Sequence, residues 1–258
     1  MGASGERLVL WHIPVSHYSE KVRWALDYKR IGHSRRPVPP PAHMALALAL
    51  TRGGSYTLPL LRIDGEALGD STAIIAALER DYPQRPLYPS DPGERRRALE
   101  IEDFFDEQLG PYARRLGFHE LRSDPKAMTD VAAAMLPSGI GRNPTARSAA
   151  GRIGRSFAAL RYGTASESDA DEARVKILAA FDRLEAELGA GDYLVGDRFT
   201  VADLTAASLF YPVVQPAQAF ALPDPTPAYE RFLAPLRDRR GFRWVREVFA
   251  RHHAPDPG

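Results

Sequence analysis

The sequence predicts a small α/β unit followed by an all-helical one, and three observations carry that expectation. Leu8, Val9, Leu10, Trp11 and Ile13 form a short apolar run, broken only by His12, that stops at Pro14 and gives way to helical spacing from Ser16. A second strand-like stretch, T-L-P-L-L over 57–61, contains a proline that a regular inner strand does not accept. Beyond the proline-rich segment Q-R-P-L-Y-P-S-D-P-G (84–93) no strand pattern recurs.

Composition narrows the field of functions. With 258 residues, 44% hydrophobic and 26% charged, the chain is ordinary for a globular protein and long enough for two domains. A net charge of +1, with basic residues dispersed, gives no footprint for nucleic acid or an anionic membrane. The absence of cysteine removes disulfides, thiolate metal sites and a cysteine nucleophile. No apolar run reaches the ~18 residues of a membrane span, and M-G-A-S-G-E-R lacks a signal-peptide core, so a cytoplasmic protein is expected.

The elements follow in order. The run from Leu8 suits a strand covered on both faces. In the helix after it, Val22, Ala25 and Leu26 recur on one side, while Glu20, Lys21, Arg23 and Asp27 take the other, Lys21 and Arg23 reading as a solvated or ion-paired face. The turn between strand and helix presents Ser16, His17, Tyr18 and Ser19 where free N–H groups and the helix dipole favour an anion. Arg35 to Pro41 reads as an edge or loop, and Ala42 to Leu50 as a short apolar segment ended by Gly53-Gly54. Two short strands turn at Asp64-Gly65; Pro59 in the first requires an edge position, a strand start or a cis bond. Asp70-Ser71-Thr72 opens a helix with Ile74, Ile75, Leu78 and Tyr82 on one face and Pro83 beyond it.

In the second unit, Glu94 to Leu116 reads as one long helix, Pro125 to Leu136 as another, and Ala146 to Tyr162 as a third, before a polar loop at 163–169. Ile177, Phe181, Leu184 and Leu188 form a stripe within a helix over Ala170 to Leu188. Thr200-Val201-Ala202-Asp203 has the form of a capping box, with Phe199 and Leu204 as its hydrophobic staple, opening an unusually apolar helix through Phe210. Helices over Ala228 to Arg239 and Phe242 to His252 close the chain.

This order of motifs resembles the glutathione S-transferase superfamily over nearly the whole chain. S-H-Y-S-E-K-V-R-W-A-L (16–26) is similar to the serine- or cysteine-containing first-helix motif of that family, T-L-P-L-L (57–61) to its cis-proline strand, D-S-T-A-I-I-A-A-L-E-R-D-Y-P (70–83) to the segment that binds the γ-glutamyl end of glutathione, and G-D-R-F-T-V-A-D-L (196–204) to the capping box of its helical domain. The resemblance implies a thioredoxin-like glutathione-binding domain over 1–83, a linker over 84–93 and an all-helical domain over 94–258 that contributes a hydrophobic substrate site. It implies glutathione as co-substrate with no metal, a small hydrophobic electrophile as partner, a homodimer, and a role in detoxification. Ser16 stands at the activating position, with Ser19 second in the motif, Leu58 and Pro59 clamping the cysteinyl backbone, and Ser71 and Asp70 holding the γ-glutamyl carboxylate and amino group. Asp70, where Glu or Gln is more usual, and His17, where Pro is frequent, depart from the pattern.

Simpler roles stand beside these. Ser16, Asp70 and Ser71 suit plain helix caps, and for Ser16 the two roles can coexist. Tyr18 is the alternative hydroxyl donor. His252-His253 could suggest a metal, but a position at the chain end favours no such role. A glutathione transferase is the leading expectation; a noncatalytic protein of the same fold, or a glutathione-dependent isomerase, is the alternative.

Overall fold

The computed structural model describes residues 8–136, 138–162, 164 and 166–253. Strand β1 (Leu8–His12) is buried along its whole length, and helix α1 (His17–Tyr28) follows directly. Strand β2 (His33–Pro37), helix α2 (Ala42–Leu50), strands β3 (Leu60–Ile63) and β4 (Glu66–Gly69) and helix α3 (Ser71–Asp81) complete the first unit. The sheet order is β2-β1-β3-β4, with β1 parallel to β2 and antiparallel to β3, and β3 antiparallel to β4. The apolar β1 is therefore inner, and β2, with Arg35, Arg36 and Pro37, takes an edge where a missing ladder donor costs nothing. Leu58-Pro59 is cis and stands just ahead of β3.

The rest is helical: α4 (Pro92–Gln108), α5 (Gly110–Leu121), α6 (Pro125–Ala134), the single turn α7 (Ser138–Gly141), α8 (Pro144–Tyr162), α9 (Glu167–Leu188), α10 (Val201–Val214), α11 (Pro227–Leu233) and α12 (Arg240–His252). Every residue of α10 is buried, as a helix apolar on all sides must be. Asp203 accepts from the N–H groups of Leu194 and Thr200, both at 2.8 Å, so the capping box also ties down the preceding loop. One core joins the two units: Trp24, Leu26 and Ile74 pack with Phe105, Phe210 and Phe249. A second cluster sets Trp11, Leu58 and Leu60 against Val131 of α6 and Met135 just beyond its end. Among the described residues no helix is long and apolar enough to cross a membrane.

Several expectations are corrected. The long helix over 94–116 is two helices, because Pro111 supplies no N–H and its ring opposes continuation past Leu109. Pro235 likewise ends α11 early, leaving a 3₁₀ turn at Ala234–Leu236 before α12. α9 starts at Glu167, inside the expected loop, because Ser166 caps it by accepting from the Asp169 N–H. α10 runs past Phe210 to Val214 with Pro212 inside it. The segment 84–93, expected as a linker, is held by hydrogen bonds of its own: the Glu79 carboxylate accepts from the N–H groups of Leu87 and Tyr88, and the Leu87 carbonyl accepts from Val201.

On the polar side of α1 the ion-paired alternative holds for Lys21 and Arg23, and the pairs are buried: Glu20, Lys21 and Arg23 lie beneath α10, α4 and the chain end. Lys21 lies 2.8 Å from Glu102 and 2.6 Å from Asp106, both on α4, and 3.1 Å from Thr72 at the start of α3. Burial alone would discharge Lys21, but the two carboxylates outweigh it and hold the ammonium above its usual range. Arg23 pairs with Glu20, donates to His12 Nδ1 at 2.8 Å and reaches the Pro14 carbonyl at 3.0 Å. The chain end is packed as well: His253 Nε2 meets the same Glu20, and His252 Nε2 lies 2.9 Å from the Tyr193 hydroxyl.

Candidate active site

A cleft of about 910 Å³ opens where the first unit faces the helices. Its first wall is the turn from β1 into α1. Ser16 is the N-cap of α1, in extended conformation, and its Oγ accepts from the Ser19 N–H at 3.3 Å. Capping uses a lone pair, so the Ser16 hydroxyl hydrogen is left to donate. Ser19 is fully buried behind the turn, not in the cleft lining, and its Oγ accepts from the Ile13 N–H at 3.2 Å. Tyr211, at the far end of α10, donates its hydroxyl to the Val15 carbonyl at 2.7 Å and fixes the same turn from the other side.

His17 and Tyr18 bind α1 to the α4–α5 junction. His17 Nε2 lies 2.9 Å from the Gly110 carbonyl; burial, helped by nearby Arg114, lowers its pKa to about 3, so the ring is neutral and donates. The Tyr18 hydroxyl donates to the Asp106 carbonyl at 2.7 Å, and burial raises its pKa. Gly110 is required by this approach, since a Cβ there would collide with the Tyr18 hydroxyl.

The second wall brings Leu58, Pro59, Asp70 and Ser71 to the same cleft as Ser16 and Tyr18. Asp70 caps α3, its carboxylate accepting from the Ala73 N–H at 3.0 Å, with φ at +71°. For a residue with a side chain that conformation is strained, and such strain is concentrated at functional sites. Ser71 is therefore the first helical residue rather than the cap, 5% exposed, beside N–H groups of the first turn that have no intrahelical partner. Beneath it, Thr72 Oγ1 lies 2.8 Å from Asp106 Oδ2 and 3.0 Å from Glu102 Oε1, so the Lys21 cluster props up the helix end that faces the cleft.

The third wall is helical, and none of its residues was named as a site residue from sequence. Arg114 and Phe118 of α5, Met128 and Val131 of α6, and Phe157 and Tyr162 of α8 line the helical side of the cleft. They come from three helices between residues 110 and 162, and no single helical spacing links them. Tyr211 and the Lys21–Glu102–Asp106 cluster were missed for the same reason; the one signal available was a lysine and two carboxylates on helix faces whose apolar neighbours demanded burial. Among the described residues no group of three or more His, Cys, Asp or Glu side chains could hold a metal.

Comparisons with known proteins bear on the whole chain. The family described as "Glutathione S-transferase, N-terminal domain" matches residues 10–86, and "Glutathione S-transferase, C-terminal domain" matches 130–239. A Drosophila melanogaster protein named probable maleylacetoacetate isomerase 1 is 32% identical over 114 residues, covering 40% of this chain and 44% of that protein. A Dictyostelium discoideum maleylacetoacetate isomerase is 29% identical over 112 residues, 41% of this chain and 49% of its own length. The match thus spans somewhat under half of these curated relatives. Among solved structures, glutathione transferase GSTFuA2 from Phanerochaete chrysosporium superimposes with a TM-score of 0.63 at 20% identity, over 98% of this chain and 100% of that one. A Methylobacterium radiotolerans glutathione S-transferase solved in complex with glutathione sulfonate gives 0.52 at 21% identity, over 92% and 93%. With one family matching the sheet unit, the next matching the helices, and the fold shared end to end, the chain belongs to the glutathione S-transferase superfamily.

Proposed function

We propose that the cleft binds glutathione against residues 1–83 and that the helices from 94 onward, joined through 84–93, hold a hydrophobic electrophile for attack by its sulfur. The observation that carries this reading is the convergence of Ser16, the Leu58-Pro59 cis peptide and the Asp70-Ser71 helix start on one cleft. The backbone N–H and C=O of Leu58, ahead of the cis Pro59, pair with the cysteinyl part of the tripeptide. Ser71 and the free N–H groups beside it take the γ-glutamyl carboxylate, and Asp70 takes the amino group. Ser19 acts indirectly, by holding the turn that presents Ser16.

Ser16 does not attack. Its hydroxyl donates to the sulfur and favours the thiolate, whose proton goes to solvent. A thiol of pKa about 8.5 is only roughly 3% ionised at pH 7, and a downward shift of about 2 units costs ~2.7 kcal/mol. One charge-assisted hydrogen bond of about 1.5 to 3 kcal/mol with a helix N-terminus of about 0.3 to 1 kcal/mol supplies it. Tyr18 is the weaker candidate, because its hydroxyl hydrogen is engaged by the Asp106 carbonyl.

A second reading, glutathione-dependent isomerisation, is favoured by the names of the two curated relatives. The thiol is then recovered rather than consumed. Calorimetric titration with glutathione, followed by mass spectrometry of turnover mixtures, separates the cases. A conjugate means transfer, an isomerised substrate with intact glutathione means isomerisation, and no binding at millimolar thiol leaves a noncatalytic protein of this fold. We take the working form to be a cytoplasmic homodimer, as the family leads one to expect; a monomer mass by light scattering rejects the dimer.

A further inference from the structure

We propose that the second substrate is an amphipathic acid, a carboxylate or sulfonate on an elongated apolar body, with its anionic group held by Arg114 and Arg161 around Tyr162. The word substrate rests on the thiol chemistry above; the anion site does not. Arg114 of α5 and Arg161 of α8 place their guanidinium carbons 4.5 and 5.6 Å from the centre of the same Tyr162 ring. Arg161 also faces Tyr56 at 5.7 Å, and Arg114 faces Tyr18 at 5.9 Å. Neither guanidinium has a carboxylate partner or a hydrogen bond among the described residues, and Arg114 Nε is buried with none. Three other half-buried arginines are paired, Arg35 with Asp27, Arg174 with Glu120 and Arg239 with Glu185, whereas Arg62 lies over the Trp11 ring at 5.6 Å with no carboxylate partner among the described residues, outside this cleft. Two unpaired cations on one ring repel each other, and an anion between them reverses the sign of that interaction.

The acidic residues of the cleft do not supply that anion. Glu120 is engaged by Arg174 and by the Thr226 hydroxyl, and Asp106 by Lys21. Asp70, Asp103 and Glu107 belong to the α3–α4 side, and Asp224 to the loop before α11.

The body of the ligand is read from α8. Ala146, Ala150, Ile153, Phe157 and Arg161 line the cleft at spacings of three or four, so one helix face is apolar for several turns and ends in a cation. From residue 146 to 161 that face runs about 22 Å at 1.5 Å per residue. Met128, Val131 and Ala132 of α6 oppose it.

The test uses two fluorescent probes without any thiol: 8-anilino-1-naphthalenesulfonate and its neutral counterpart N-phenyl-1-naphthylamine. Arg114→Gln should weaken the sulfonate about tenfold or more, the loss of a charge-assisted contact, and leave the neutral probe within about twofold. Arg161→Gln should weaken it less, and Arg114→Lys should restore part of the loss. Equal weakening of both probes, or of neither, overturns the proposal. In a second arm, the pH profile of bound glutathione thiolate at 240 nm should be the same in wild type and Arg114→Gln; a rise of one unit would make Arg114 a partner of the sulfur and also overturn it. The readouts separate: probe selectivity survives a failure to bind glutathione, and glutathione binding survives a loss of selectivity.

Discussion

The two ends of the cleft are built differently. The end with Ser16, Pro59 and Ser71 is made of strand-to-helix junctions, where backbone donors, caps and a helix dipole create the site and each piece is a run of a few residues. The end with Arg114, Tyr162 and Arg161 is made of single side chains from α5 and α8, brought together only by helix packing. A site of local backbone geometry can be read from a motif. A site of converging side chains cannot, because its spacing exists only in three dimensions.

The sharpest way to break this comparison is to ask what holds the junction end rigid. Lys21 is wholly buried between Glu102 and Asp106, so Lys21→Met leaves two carboxylates in the interior with no cation. Losing one partner of such a cluster costs about 3 to 5 kcal/mol, which a urea unfolding curve reads as a lowered midpoint. Pairing it with Glu102→Gln should recover part of the loss. At the other end, exposed Arg161→Gln should change stability by less than about 0.5 kcal/mol. A small effect at Lys21 would mean that the junction end owes its rigidity to the sheet alone.

Ligand binding divides the two ends next. Ser71 follows the cap rather than being it, so Ser71→Ala should leave stability within about 0.5 kcal/mol while weakening glutathione by about 1.5 to 3 kcal/mol, read by calorimetry. Unchanged affinity in the folded variant dismisses Ser71 as a ligand. Ser16→Ala should raise the bound thiol pKa by about 1 to 2 units and cost about 1 kcal/mol of stability as a lost cap.

What the sequence revealed follows the same line. The caps at Ser16, Asp70 and Thr200, the constrained Pro59 and the wholly apolar α10 are properties of short windows, and each was legible there. The burial of Glu20, Lys21 and Arg23 was not. A charged helix face leaves solvated and ion-paired readings open until a neighbouring helix supplies counter-charges, and Glu102 and Asp106 stand some eighty residues away. The helices read over 94–116 and 228–239 ran straight through Pro111 and Pro235, whose missing N–H and ring divide them.

Acid stability probes the histidines that frame the junction. His12 and His17 are both held neutral, with pKa values lowered to about 3, chiefly by burial. The unfolded chain takes up protons on both below about pH 6.5 while the native state does not, so stability should fall as pH drops from 6.5 toward 3. Each histidine contributes a slope of up to about 1.4 kcal/mol per pH unit. Glu20, lowered to about 2 by Arg23 and His253 against its burial, adds to the fall below its unfolded value of 4.5. Unfolding curves at a series of pH values should show His17→Gln with a shallower slope; an unaltered slope would mean that His17 is protonated in the native state.

The smallest effect expected is at Asp70, and it separates strain from binding. Its φ of +71° with a side chain present costs about 1 to 3 kcal/mol, a conformation glycine adopts freely. Replacing it with glycine relieves that strain, while the added unfolded-state entropy costs about 0.5 to 1 kcal/mol and the weaker cap a few tenths. Asp70→Gly should therefore be more stable than wild type by about 1 kcal/mol and bind glutathione less well, because the carboxylate offered to the amino group is gone. Asp70→Asn keeps a good cap and the strain while removing the charge, so it should lose affinity about two- to fivefold without gaining stability, the scale of one exposed ion pair. If Asp70→Gly gains stability and keeps full affinity, the carboxylate serves the helix alone. If it gains none, the strained backbone is held by contacts of its own, and the junction end is less purely a matter of local geometry than its caps imply.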